Sequence, residues 1–125
     1  GRAMKSVGDD YETRAAGWLQ GRGLQLLARN FRARTGEIDI VARDAEHLVF
    51  LEVRARSNRC FASAAGSVDR RKQQRIVRTA QAFLQRHPQW ADMPCRFDVI
   101  AFEPRQSAGE REPHWIRGAF TACNQ

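Results

Sequence analysis

At 125 residues and 14.3 kDa, the chain can build one hydrophobic core and is too short for two ordinary ones. Hydrophobic residues at 42% and charged residues at 28% exclude wholesale disorder, and no apolar run approaches the roughly 18 residues of a membrane span. The net charge of +7 turns the molecular field toward polyanions, nucleic acid above all, and arginine supplies most of it, since the lysines are only Lys5 and Lys72.

Residues 1–7 read as an N-terminal tail, in part an expression scar ahead of Met4, with no charged-then-apolar leader, so a soluble, cytoplasmic protein is expected. Residues 8–121 read as the domain and 122–125 as a C-terminal tail. "DDYETRAAGWLQGR" (9–22) predicts a helix with Asp9 or Asp10 near its N-cap and Gly23 just past its end. With Tyr11 at 0°, Ala15, Ala16, Trp18 and Leu19 fall in an arc from about 340° to about 140°, and Glu12, near 100°, lies inside that apolar arc. A solvated helix carboxylate belongs on the opposite side.

"LQLLARNFRAR" predicts a short strand, followed through Gly36 by strands over 37–43 and 47–55, joined as an antiparallel hairpin by "RDAEH" and forming a meander. "SNRCFASAAGS" reads as a loop. The longest helix is expected over 68–87, with Ile76, Val77, Ala80, Phe83 and Leu84 at helical spacing and Pro88 closing it. Its other face carries Arg70, Arg71, Lys72, Arg75, Arg78 and Arg86. A strand over 96–103, a polar hairpin loop "PRQSAGEREP" and "HWIRGAF", a short strand or packed tail, complete the order α-β-β-β-α-β-β of one compact α/β domain.

The hairpin poses the chemical question. Alternate strand residues share a face, so Glu37, Asp39 and Val41 lie together, as do Leu48, Phe50, Glu52 and Arg54 on the next strand. The apolar sets Ile38/Ile40 and Val49/Leu51/Val53 must share the other side. Matching faces requires opposed residue numbers with an odd sum, about 89 or 91 for a turn near Asp44 to Glu46. The first sum sets Glu37 against Glu52 and the second sets Asp39 there. Carboxylates become neighbours either way, and opposed like charges are destabilising. A solvated polar face bridged to Arg54 is one answer. The other is a half-buried site: Val41, Leu48 and Phe50 on the same face imply a cover, expected to be the first helix, from which Glu12 points to the same region. Such a patch suits metal-assisted phosphodiester hydrolysis, with Asp39, Glu52 and Glu12 holding Mg²⁺ (or Mn²⁺) through oxygen.

The blocks "ETRAAGWLQGRG", "ARNFRARTGEIDIVARD", "LVFLEVRARS", "SVDRRKQQRIVRTAQAFL", "RFDVIAF" and "IRGAF" resemble the YraN family of small bacterial proteins, over about residues 8–121. That family is similar in fold to the PD-(D/E)XK nucleases, most closely the archaeal Holliday-junction resolvases. The resemblance implies a mixed central β-sheet flanked by helices, a restriction-endonuclease-like core. It implies a helix-borne acidic residue at Glu12, a metal-binding aspartate at Asp39 and a second ligand, the glutamate of E-x-K, at Glu52, with Glu37 in support. It also implies DNA as partner and pairing as a homodimer. The departure is at position 54, where the pattern has lysine and this chain has Arg54. An arginine stabilises a phosphate but cannot deprotonate to act as a base. Lys72 is then either an ordinary surface lysine or a partial replacement that approaches the phosphate.

Arg32, Arg34, Arg56, Arg70, Arg71, Arg75 and Arg78 are the candidate nucleic-acid contacts. Cys60, Cys95 and Cys123 lack metal-ligand spacing and read as reduced thiols, and His47, His87 and His114 as surface or capping residues. Trp18, Phe83 and Phe97 read as core; Trp115, beside Arg117, reads less plainly so, and Asp98 as a salt-bridge partner of Arg96 in preference to a residue near the site's rim. Three functions remain open: a Mg²⁺-dependent endonuclease on branched or single-stranded DNA, a nucleic-acid-binding protein inactive because of Arg54, or a basic adaptor for a protein or ribonucleoprotein.

Overall fold

The computed structural model describes residues 7–55, 69–102 and 113–121. In chain order these form α1 (Val7–Gly21), β1 (Gln25–Ala33), β2 (Gly36–Arg43), β3 (Leu48–Ala55), α2 (Arg70–Arg86), β4 (Cys95–Phe102) and β5 (His114–Phe120), with a 3-10 turn at Pro88–Trp90. The strands make a single sheet in the order β1-β2-β3-β4-β5. β1, β2 and β3 form the antiparallel meander, β4 runs parallel to β3, and β5 returns antiparallel to β4. The result is one α/β domain with a mixed sheet between two helices. Among the described residues no helix is long and apolar enough to cross a membrane. The expected loops over 57–67 and 104–113 lie almost wholly outside the described residues.

Local chemistry sets the element ends. α1 runs from Val7, so Asp10 lies within the helix rather than at a cap. It stops in a Schellman motif: Leu24 N–H donates to the Leu19 carbonyl at 3.1 Å and Gly23 N–H to the Gln20 carbonyl at 3.1 Å. Gly23 holds the left-handed conformation (φ 92°) that this ending requires. α2 begins two residues later than expected because Asp69 is its N-cap, its side chain accepting from Lys72 N–H at 2.9 Å. β3 is buried along its first five residues, as a central strand covered on both faces must be.

The helices divide the core in a way the sequence reading had reversed. Val41, Leu48, Phe50, Phe97 and Val99 pack with Ile76, Ala80 and Phe83 of α2. Ile40, Ala42, Val49, Leu51 and Ile100 pack with Ala15, Ala16 and Leu19 of α1. The face carrying the acids is therefore covered by α2, not α1. The reason is topological: α2 is the crossover between the parallel strands β3 and β4 and must span one face of the sheet, leaving the other to α1. Ile38 and Ile40 also part company, the first in the α2 core and the second in the α1 core. Alternation slips at Asp39, alongside Asn30 of β1, which takes a left-handed φ of 53° between the pairs Arg29–Ile40 and Phe31–Ile38.

Candidate active site

The β2–β3 ladder pairs Arg43 with Leu48, Ala42 with Val49, Val41 with Phe50 and Ile40 with Leu51. This is the register that aligns Asp39 with Glu52. There the backbone ladder ends, and Asp39 Oδ2 accepts the Val53 N–H at 2.8 Å. A carboxylate has taken the place of a strand carbonyl, which pins Asp39 beside Glu52.

Glu52 is 5% exposed. Its Oε1 lies 3.4 Å from Lys72 Nζ in the first turn of α2, and its Oε2 is buried with no hydrogen-bond partner among the described residues. Burial, and then the charge of Asp39, push its carboxyl up to about 7, against the pull of Lys72 and Arg54. Asp39 is raised as well, chiefly by burial, while the Val53 N–H and a hydrogen bond with the Glu12 side chain oppose the rise. Glu12 thus reaches Asp39 from α1, although α1 covers the other face, and its Oε1 stands 4.0 Å from Arg29 Nη2.

The remaining groups close a cleft of about 200 Å³ lined by Gly36, Glu37, Asp39, Glu52, Lys72, Arg75 and Ile76. That volume suits a hydrated ion and a phosphate rather than a large organic ligand. Glu37 is half-exposed and pairs with Arg32 at 3.5 Å. Arg54 is partly buried, and its Nε lacks a hydrogen-bond partner among the described residues. Arg32, Arg34, Arg70, Arg71, Arg75 and Arg78 are all exposed. Arg71, Arg75 and Arg78 share one face of α2 at i, i+4 and i+7, with Arg75 on the cleft wall. Arg56 lies outside the described residues.

The donor set bears on a divalent cation directly. Among the described residues no three of His, Cys, Asp and Glu are disposed to hold a metal ion. Two carboxylates with one buried, unsatisfied oxygen nevertheless fit Mg²⁺, which keeps several waters and takes one or two carboxylates plus substrate phosphate. Asp39 and Glu52 are that pair.

Two contributors carry no signal in the sequence. Gly36, with φ 148°, brings the β1–β2 turn against α2, where an added Cβ would stand 3.4 Å from Thr79 Oγ1. The Val53 N–H that fixes Asp39 is backbone, invisible to any reading by residue type. Phe83 and Phe97 are core, whereas Trp18 is only partly buried. Asp98 is fully buried and does pair with Arg96, at 3.0 Å.

Known proteins place the chain. A UPF0102 protein of Alcanivorax borkumensis is 47% identical over 119 residues, 95% of this chain and 94% of the relative. One of Pseudomonas putida strain GB-1 is 50% identical over 114 residues, 91% and 92% of the two chains. One of Halorhodospira halophila is 50% identical over 113 residues, 90% and 85%. Among solved structures, the EndoMS–dsDNA2 complex is similar over 85% of this chain at 15% identity with a TM-score of 0.36. This chain spans about half the length of that one, and likeness at this level carries no argument. The family match runs over residues 11–102, and with these relatives it shows that the chain belongs to the uncharacterised protein family UPF0102, the YraN family.

Proposed function

We propose that this protein is a divalent-metal-dependent endonuclease acting on DNA, with a PD-(D/E)XK-type core and a preference for branched or single-stranded substrates. The observation that carries it is the buried oxygen of Glu52, unsatisfied beside Asp39 and Lys72 in a phosphate-sized cleft walled by Arg75. Burial of a carboxylate oxygen without a hydrogen-bond partner is unfavourable, and a bound ligand or water is an ordinary reason for a fold to keep one.

Asp39 and Glu52 would hold Mg²⁺ or Mn²⁺, which supplies polarisation of the phosphate and a more acidic water. Glu12 reaches Asp39 from α1, and its hydrogen bond opposes the rise in the Asp39 carboxyl, which would help keep Asp39 ionised for a metal. Lys72, 3.4 Å from Glu52, puts a cation at the mouth of the acidic pair, where it can stabilise charge on the phosphate and orient a water. Arg54 supplies fixed positive charge that cannot leave as a proton. Arg71, Arg75 and Arg78 run along α2 as a track for the backbone phosphates.

A second reading, a DNA-binding protein that does not cut, rests on Arg54 in the lysine place of E-x-K. The two separate on forked, junction and linear DNA with Mg²⁺ or Mn²⁺, against a Glu52→Gln control. Metal-dependent cleavage lost in the control supports the nuclease. Salt-dependent binding with intact substrates supports the second reading, and absence of binding at low salt leaves a basic adaptor for a protein or ribonucleoprotein.

A further inference from the structure

On the face that α1 covers, a second cleft of about 430 Å³ opens between the end of α1 and β5, lined by Trp18, Gly21, Arg22 and Arg117. None of the lining residues is acidic. Arg22 and Arg117 are exposed, and their guanidinium groups lie over the Trp18 ring at 4.4 Å and the Trp115 ring at 4.1 Å. Other arginines cover aromatic rings in this protein, Arg14 over Phe102 and Arg86 over Phe31 among them. Only at Trp18 does such a pair open onto a cleft among those described.

The aromatic wall is held from behind. Trp18 meets Trp115 edge to face, with centroids 5.6 Å apart at 78°. Trp115 Nε1 donates to Asp98 Oδ2 at 2.8 Å, and Asp98 is fully buried. The same carboxylate accepts from Gly118 N–H at 2.9 Å and from Arg96 Nε at 3.0 Å. Gly118 takes a left-handed φ of 61° there. A fully buried charge thus fixes one indole, which fixes the next, and Gly21, where an added Cβ would meet nothing within 4 Å, leaves the space before it open.

We propose that this cleft binds an unpaired segment of nucleic acid, a base stacking on Trp18 in the place the Arg22 guanidinium holds in the free protein, with Arg22 and Arg117 turned onto the adjoining phosphates. Rigid aromatic rings beside basic side chains are what single strands require, since every base offers a π-face and every linkage a negative charge. The volume fits a base with its sugar, within the range of ordinary ligand sites. The carboxylate cleft is walled by α2 on the other face of the sheet, so the two sites would hold different parts of one substrate, duplex at the carboxylates and a displaced strand at Trp18. This rests on the nucleic-acid reading above and adds to it a site, a strand type and a place.

The test uses the full chain in EDTA with a thymidylate oligomer of about eight nucleotides, read by tryptophan emission and by anisotropy. Trp90→Phe should retain the quenching, which assigns it to Trp18 and Trp115. The Arg22→Gln/Arg117→Gln double variant should melt like the parent, bind the oligomer about tenfold more weakly, and show a salt slope shallower by about 1.4. Duplex affinity should stay within about twofold, because the α2 arginines are untouched. Equal binding of the oligomer by parent and double variant overturns the proposal. So does binding of duplex but not oligomer by the parent, which leaves the nuclease reading standing; binding of neither overturns both.

Discussion

Replacing Glu52 with glutamine should stabilise the metal-free protein while abolishing its proposed chemistry. The Glu52 carboxyl titrates near 7 in the fold against an ordinary 4.5. Below the lower value it is neutral in both folded and unfolded chains. Between the two, the unfolded chain releases a proton that the folded chain keeps, so stability falls as pH rises, and above about 7 the loss is complete at about 3 kcal/mol. Asp39, also raised, adds in the same direction. Asp44 is lowered, so its contribution is lost only at more acidic pH, outside this window. Glu52→Gln removes the ionisation, and the loss just given is already net of the pull of Lys72, which is 31% exposed. The gain is about 3 kcal/mol at pH 8 and close to nothing at pH 4.5, a rise in Tm of roughly 9–15 °C at the higher pH. Urea melts of both proteins in EDTA at the two pH values measure it. A variant no more stable than the parent at pH 8, or a parent that gains stability between pH 5 and 8, would refute the reasoning.

Asp39→Ala leaves the Val53 N–H without its acceptor and Asp39→Asn does not, so the asparagine variant should be the more stable by about 1–2 kcal/mol in denaturant melts, with both inactive. Lys72→Ala should lower cleavage by about a hundredfold while raising Mn²⁺ affinity by calorimetry, since it removes a cation that competes for Glu52. Arg54→Lys should leave cleavage within about threefold in the parent and recover about tenfold in the Lys72→Ala background, if Lys72 has taken over the missing lysine's work. Neutralising Arg71, Arg75 and Arg78 together should reduce the slope of log K against log salt for duplex DNA by about 2.7.

Much of the site was legible because strand alternation holds along β3 and over most of β2. An odd sum for the hairpin register brings carboxylates together, and the observed pairing of Ile40 with Leu51 is one of the two registers that rule allows. Glu12 was legible from its place in an apolar arc. What could not be read is which helix covers which face. Periodicity says that a face is covered, whereas the cover is chosen by the parallel β3–β4 crossover, and strand direction leaves no mark on local pattern. The slip at Asp39 was hidden as well: it lies opposite Asn30, whose left-handed conformation no periodicity announces. Trp18 sits at helical spacing like a core residue, and only the tertiary position of β5 shows that its outer side faces a cleft.

In the proposed nuclease, Lys72 and Arg54 would divide between them what one lysine does in the nuclease pattern. Arg54 follows Glu52 on the same strand, so its place is set by the strand, but its guanidinium is a permanent charge that can only stabilise. Lys72 comes from another element, and its place depends on the Asp69 cap that starts α2 and on the burial of Ile76 and Phe83 that seats the helix on the sheet. Its Nζ reaches Glu52 Oε1 directly, leaving Oε2 for a metal ion or a water. A flexible ammonium supplied by α2 and a fixed guanidinium supplied by β3 would then divide phosphate and water positioning from charge stabilisation. Any movement of α2 against the sheet, such as DNA engaging the Arg71–Arg75–Arg78 face, would alter the Lys72–Glu52 distance and leave Arg54 where it is. Substrate binding and chemistry would then be coupled through one helix, and the coupling would vanish in a protein that kept the lysine on the strand.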